Sequence, residues 1–207
     1  MNLHEAFIDF LKQFGNVSVE EISEYMIPVI KVREFKKKET IIIAGEVENY
    51  INFISKGLVR KYYMHNQAEQ IVQIAIEGHL ISSQESLYTQ SPSDYTIDAI
   101  EPTTLISIAN DDLEKIFAKS HNMERLGRMI ATHSMVLMDK RQISLIKQTP
   151  RERFLNFVNN YPEIIQRVPQ KYLASYLNIK PETFSRFKHL IRNKKPVESV
   201  SHIGFQL

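Results

Sequence analysis

The stretch from Pro169 to Lys194 holds residues whose types and spacing match a definite chemistry. A helix opening at Pro181 and running to about Arg192 would set Phe184, Phe187, Leu190 and Ile191 on one face. Glu182, Thr183, Ser185, Arg186 and His189 would stand opposite or flank it. An arginine fork can grip a guanine edge through two parallel hydrogen bonds, and a glutamate can accept from a cytosine amino group. Lys188, Arg192, Lys194 and Lys195 suit phosphates, which set affinity and register rather than sequence choice. Gln170 and Lys171 open a preceding helix, over about 170–177, where free backbone N–H groups add to the attraction for a phosphate. That helix would bury Leu173, Ala174 and Leu177. The small Ala174 allows a close crossing, and Asn178-Ile179 makes a tight connection. A short helix, a short turn and a second helix form the helix-turn-helix pattern, which double-stranded DNA would fit.

Charge points the same way. Residues 151–207 hold ten Lys/Arg against four Asp/Glu, a net of +6, while residues 1–150 hold sixteen against twenty, a net of −4. A basic tail on an acidic body suits a polyanion. The absence of Cys excludes disulfides, thiolate metal sites and cysteine nucleophiles. The seven His, at 4, 65, 79, 121, 133, 189 and 202, include no pair at helical metal-binding spacing. Neither a metal nor a cofactor is expected. No nucleophile–base pair or phosphate-cradling glycine loop appears, so the chain does not read as an enzyme. No apolar run is long enough for a membrane span, and the sequence reads as cytoplasmic.

The elements that must position the basic tail can be read along the chain. Leu3, Phe7, Phe10, Leu11 and Phe14 recur at helical spacing up to Gly15, and Ser18-Val-Glu-Glu21 is a capping box opening a second helix. From about residue 30 to 108 short strand-type runs alternate with turns: Thr40–Ile43, Tyr50–Ser55, Leu58–Met64, Gln70–Ile76, Tyr95–Ala99 and Thr104–Ile108. This texture indicates an all-β roll, barrel or sandwich. Helix resumes at Asp111-Asp-Leu-Glu114, a second expected capping box, and a long helix runs from near Met123 to about Gln148. Its stripe of Leu126, Met129, Ile130, His133 and Leu137 has near-heptad spacing and is read as a homodimer interface. The β domain would cover a second apolar face of the same helix. Thr149-Pro-Arg-Glu152 is a further helix start. The expected division is therefore a β-roll with N-terminal helices over 1–122, a dimerisation helix over 123–148, and a helix-turn-helix domain over 149–207.

Two regions of the chain resemble one family, the Crp/Fnr superfamily of transcription regulators. In the β region the resemblance lies in Ile41-Ile-Ile-Ala-Gly45-Glu46 and in Phe53-Ile54-Ser-Lys-Gly57-Leu-Val59-Arg60. In the tail it lies in Pro181-Glu182-Thr183-Phe184-Ser185-Arg186. The segment Tyr161-Pro-Glu-Ile-Ile-Gln-Arg-Val-Pro-Gln-Lys-Tyr172 is most similar to the Bacteroidetes-type branch. The resemblance implies an α+β protein with a cyclic-nucleotide-binding-type roll, a long dimerisation helix and a winged-helix-like DNA-binding domain. It places Glu182 and Arg186 at base-reading positions. RNA polymerase is a further partner class it implies, and the sequence marks no surface for it. Residues 196–207 are short for the family's wing.

The same resemblance places an effector pocket at Ser82, Ser83, Glu85, Ser93, Asp94 and Tyr95, where the family's nucleotide cassette would stand. There the family uses a glutamate for the ribose and an arginine for the cyclic phosphate. This chain has no Lys or Arg from 62 to 114, and Asp94 would repel a phosphate. Arg60 or Lys61 reaching in from an earlier strand is the less favoured alternative, because the cassette itself is lost. The expectation is a regulator that does not answer to cyclic AMP in the family manner. Its roll would take a neutral or cationic effector against Glu85 or Asp94, or be filled by its own side chains. A small-molecule-binding module without DNA-binding activity is the alternative.

Overall fold

The computed structural model describes residues 3–15 and 17–190. The chain opens with α1 (Leu3–Lys12) and α2 (Val19–Tyr25). Ser18 caps α2 by accepting from the Glu21 N–H at 3.1 Å. The reciprocal half of the expected capping box is not made. The Glu21 carboxylate instead accepts from Asn122 Nδ2 at 2.9 Å, tying α2 to the start of the long helix.

Eight strands follow: β1 (Lys31–Phe35), β2 (Thr40–Ile42), β3 (Tyr50–Lys56), β4 (Leu58–His65), β5 (Ala68–Ile76), β6 (Leu80–Ile81), β7 (Thr96–Ala99) and β8 (Thr103–Ala109), with α3 (Gln84–Thr89) between β6 and β7. They form two antiparallel four-stranded sheets, ordered β1-β8-β3-β6 and β2-β7-β4-β5. Ile42, Ile54, Val59, Ala75, Ile81, Ile97 and Leu105 are buried together as the core of the roll. The sequence runs anticipated six of these strands. They missed β1, whose residues are mostly exposed, and the two-residue β6.

The first helices close over the β1-β8-β3-β6 sheet. Phe7, Phe10 and Leu11 of α1 and Ile22 of α2 pack on Phe53, Ile106 and Ile108. They share that core with Leu113 and Ile116 of α4 (Asn110–Lys119) and with Met123 and Leu126 of α5 (His121–Lys147). The expected capping box at Asp111 is not formed: α4 begins at Asn110, and Ala109 at its N-cap has no side chain that can cap. At 27 residues, α5 is about 40 Å long. Thr149 and Glu152 make a full reciprocal capping box at the start of α6 (Pro150–Asn160). The chain ends its described part with α7 (Ile164–Arg167), α8 (Gln170–Tyr176), α9 (Pro181–Phe187) and a 3-10 turn over Lys188–Leu190.

The C-terminal helices pack on the roll. Phe154, Phe157, Ile164, Leu173, Ala174, Leu177 and Phe184 share one buried cluster with Leu58, Ile71, Ile74 and Ile100 of the roll. The inner part of the β4–β5 hairpin, from Leu58 to Lys61 on β4, is therefore covered on both faces. At its root, Gly57 turns with φ +101°, and a Cβ there would stand 2.7 Å from the Pro102 carbonyl oxygen and 2.7 Å from Thr103 Cα. Backbone cannot yield as a side-chain end can. We expect Gly57→Ala to destabilise the roll by about 3 kcal/mol or more in chemical denaturation. A loss near zero would contradict the close approach.

Candidate functional site

Two candidate sites emerge, one on the helix-turn-helix and one inside the roll. The turn of the first is built by Arg153. Its guanidinium is buried and donates to the carbonyl oxygens of Gln148 (2.6 Å), Leu177 (2.8 Å) and Asn178 (2.9 Å). Asn178 takes a left-handed φ of 51°, which an Asn tolerates, and so closes the short connection between α8 and α9. The aromatic rings of Phe154 and Phe184 meet edge to face at 5.2 Å, fixing α9 against α6. With Phe184 buried, Glu182, Ser185, Arg186 and His189 are exposed, while Thr183 and Lys188 are half-buried. Gln170 and Lys171 are exposed at the start of α8. Arg186 Nη2 donates to Thr183 Oγ1 at 3.3 Å, one turn away. Arg192, Ile191, Lys194, Lys195 and the 196–207 segment lie outside the described residues.

The α8 helix is held on the roll by polar contacts that the sequence did not disclose. Arg60 grips Asp98 through two bonds of 2.7 Å and Glu69 at 2.6 Å. Its guanidinium lies between the Tyr62 ring at 4.3 Å and the Tyr172 ring of α8 at 3.9 Å. Ser175 of α8 accepts from the Ile71 N–H and donates to the Glu69 carbonyl. Arg167 bonds both Glu77 and Glu101. Arg141 of α5 stacks on Tyr176 at 3.7 Å and donates to its carbonyl at 2.8 Å.

Inside the roll, Ser82, Ser83 and Ser93 are buried, whereas Glu85 and Asp94 are exposed and Tyr95 is half-buried. Ser93 Oγ donates to Ser83 Oγ at 2.8 Å and accepts from the Tyr95 N–H at 3.0 Å. The strand alternation of β4 sends Leu58, Arg60 and Tyr62 toward the C-terminal helices and Val59 toward the roll core. Lys61 lines the cavity beside the roll, the less favoured of the sequence readings. It is only 7% exposed, and its Nζ donates to the Ser82 carbonyl (3.1 Å) and to Gln84 Oε1 (3.2 Å). A cavity of about 430 Å³ between the roll and α5 is lined by Lys61, Gln73, Tyr95, Glu85, Met138 and Arg141 among others. Nearby Glu48 is buried, burial raises its carboxyl pKa, and its Oε2 has no hydrogen-bond partner among the described residues.

The expected dimer stripe is divided by the structure. Leu126 and Leu137 are buried within the chain itself, and Ile130 and His133 are half-buried, the His133 ring lying 5.1 Å from Phe14. Met129 alone of the five is exposed. Val136 and Ile143 follow it at seven-residue intervals and are also exposed.

Against this geometry, residues 32–120 match the family model of the cyclic nucleotide-binding domain. FixK2 from Bradyrhizobium japonicum superposes with a TM-score of 0.65 at 19% identity, covering 84% of this chain and 94% of that one. The c-di-GMP responsive global regulator CLP of Xanthomonas campestris gives 0.66 at 12% identity, covering 84% and 92%. The catabolite activator protein of Thermus thermophilus gives 0.56 at 16%, covering 88% and 86%. No curated protein matches the sequence. Residues 32–120 thus match the cyclic nucleotide-binding domain family, and the chain shares the fold of these solved structures: a roll, a long helix and C-terminal helices. Among the described residues no helix is long and apolar enough to cross a membrane.

Burial lowers the Lys61 pKa to about 8. Its folded value lies below the unfolded one, so between about pH 8 and pH 10 the unfolded chain binds a proton that the folded chain lacks, and stability rises with pH. Lys61→Met should remove a rise on the order of 2–3 kcal/mol over that window. Parallel stability curves for the two proteins would show that Lys61 is not desolvated as described.

Proposed function

We propose that this protein is a DNA-binding transcription regulator of the Crp/Fnr type, without enzymatic activity, acting as a cytoplasmic homodimer on a palindromic operator. The observation that carries this reading is the exposed face of α9. Phe184 anchors the helix, and Glu182, Ser185 and Arg186 point away from the core on a basic domain. Glu182 and Arg186 read base edges, with Thr183, Ser185 and His189 beside them. Gln170, Lys171, Lys188 and Arg192 hold phosphates.

The dimer is formed by α5 through the face that the chain leaves open, on Met129, Val136 and Ile143, with Met135 and Ile146 adjoining. Two-fold symmetry then sets two copies of α9 about 34 Å apart on one side of the duplex. The roll takes a small effector other than cyclic AMP. This is supported by Ser93 and Asp94 standing where the family's phosphate-binding pair would be. RNA polymerase is a further partner if the protein activates.

Arg186→Ala should cost on the order of 1–3 kcal/mol per half-site and relax preference at one base pair, measured by fluorescence anisotropy on the operator. Lys188→Ala should weaken all sequences alike and lower the salt slope. Val136→Glu should give a monomer by light scattering with intact thermal stability. Leu137→Glu would instead damage the chain's own core. An unchanged site preference in Arg186→Ala, or a wild-type monomer with and without DNA, would overturn the assignment.

A further inference from the structure

Lys61 is a buried ammonium in a cavity wall, and its two hydrogen-bond partners are neutral oxygens, the Ser82 carbonyl and the Gln84 amide. Among the described residues no carboxylate lies within ion-pair distance of it. The acid nearest in effect, Glu48, is itself buried and pushed toward its neutral form. An ammonium taken out of water without a counter-charge is costly to hold. It also has three donors, of which two are used.

We propose that the cavity between the roll and α5 takes a small monocarboxylate with an apolar or aromatic body, the carboxylate bound by Lys61. The proposal rests on the reading of the roll as an effector site and assigns the class of ligand to it. The remaining lining sets that class. Leu137, Met138 and Leu145 of α5 and Val72 of β5 form an apolar wall. The Tyr95 ring, whose centroid is 5.3 Å from Lys61 Nζ, supplies an aromatic surface beside the cation. The Ser83 and Ser93 hydroxyls are engaged with each other and with the Tyr95 backbone, so they form no ready cradle for a phosphate. Glu85 in the lining disfavours a second negative charge. Lys61 and Arg141 against Glu85 leave one net positive charge in the lining, and with one aromatic face and an apolar wall they select one anionic group on a compact apolar molecule.

The same cavity is wired to the DNA-reading unit. Arg141 lines it and also holds Tyr176 of α8 by stacking and a 2.8 Å bond. Lys61 is followed in the opposite direction along β4 by Arg60, which clamps Tyr172 from the other face of the strand. A ligand that draws Lys61 or Arg141 inward changes what α8 rests on.

The test is calorimetry on the full chain with three probes: phenylacetate, its neutral isostere phenylacetamide, and cyclic AMP. Each titration is paired with operator affinity. Phenylacetate should bind at least about tenfold more tightly than the amide, the difference a charged hydrogen bond makes. It should also shift operator affinity. Lys61→Met should erase the preference for the acid, and Arg141→Leu should remove the shift in operator affinity. The acid–amide comparison in the wild type stands even if a variant folds poorly. If acid and amide bind alike, or cyclic AMP binds more tightly than phenylacetate, the roll remains an effector site and the carboxylate assignment falls. If none of the three binds and operator affinity is indifferent to all, both readings fall.

Discussion

The structure depends on one strand being buried on both of its faces. A strand in an antiparallel roll ordinarily shows one face to the core and one to water. In β4 both faces are taken. Val59 goes to the roll interior, Lys61 lines the cavity between the roll and α5, and Leu58, Arg60 and Tyr62 meet the C-terminal helices. Two adjacent cations, each less than a tenth exposed, can be tolerated only with partners. Arg60 has them in Asp98, Glu69 and two tyrosine rings. Lys61 has two neutral oxygens and the Tyr95 ring, and among the described residues no carboxylate within ion-pair distance. That asymmetry makes Arg60 a fixed joint between the domains and leaves Lys61 as the group whose electrostatic need an incoming molecule can meet.

The long helix divides its surface in the same way. Its Leu126–Leu137 side closes the roll, its Arg141–Leu145 side walls the cavity, and its Met129, Val136 and Ile143 side is open. A helix apolar on more than one face needs more than one partner. Here the chain supplies one and leaves the Met129, Val136 and Ile143 face open. The core of the roll, the wall of the cavity and the contact of Arg141 with α8 thus meet on a single helix.

Much of this was legible in the sequence. Helical spacing of Phe7, Phe10 and Leu11, the Thr149–Glu152 cap, and the Gly57 turn report on local physics, and each reappears in the structure. The helix-turn-helix was legible because Leu173, Ala174 and Phe184 must be buried for its exposed residues to be exposed. What was not legible depends on which element packs on which. Periodicity showed that α5 has several apolar faces but could not say which one the roll would take, so Leu126 and Leu137 were read as interface rather than core. Nor does a period-two pattern tell which face of β4 points inward. The sequence therefore favours Lys61 less than the cassette residues as a lining group, while Arg167, Arg153 and Ser175 carry no local signal of their tertiary partners. Strand β1, with exposed Lys31, Val32 and Glu34, lacks the apolar alternation by which strands are found.

The central claim is that two copies of α9 read DNA together. Selection of bound duplexes from a random pool with the full-length protein, followed by sequencing, tests it most directly. An enriched inverted repeat is expected, its half-site centres one helical turn apart, about 34 Å. Recovery of no enriched sequence, or of a single unrepeated half-site, would contradict it.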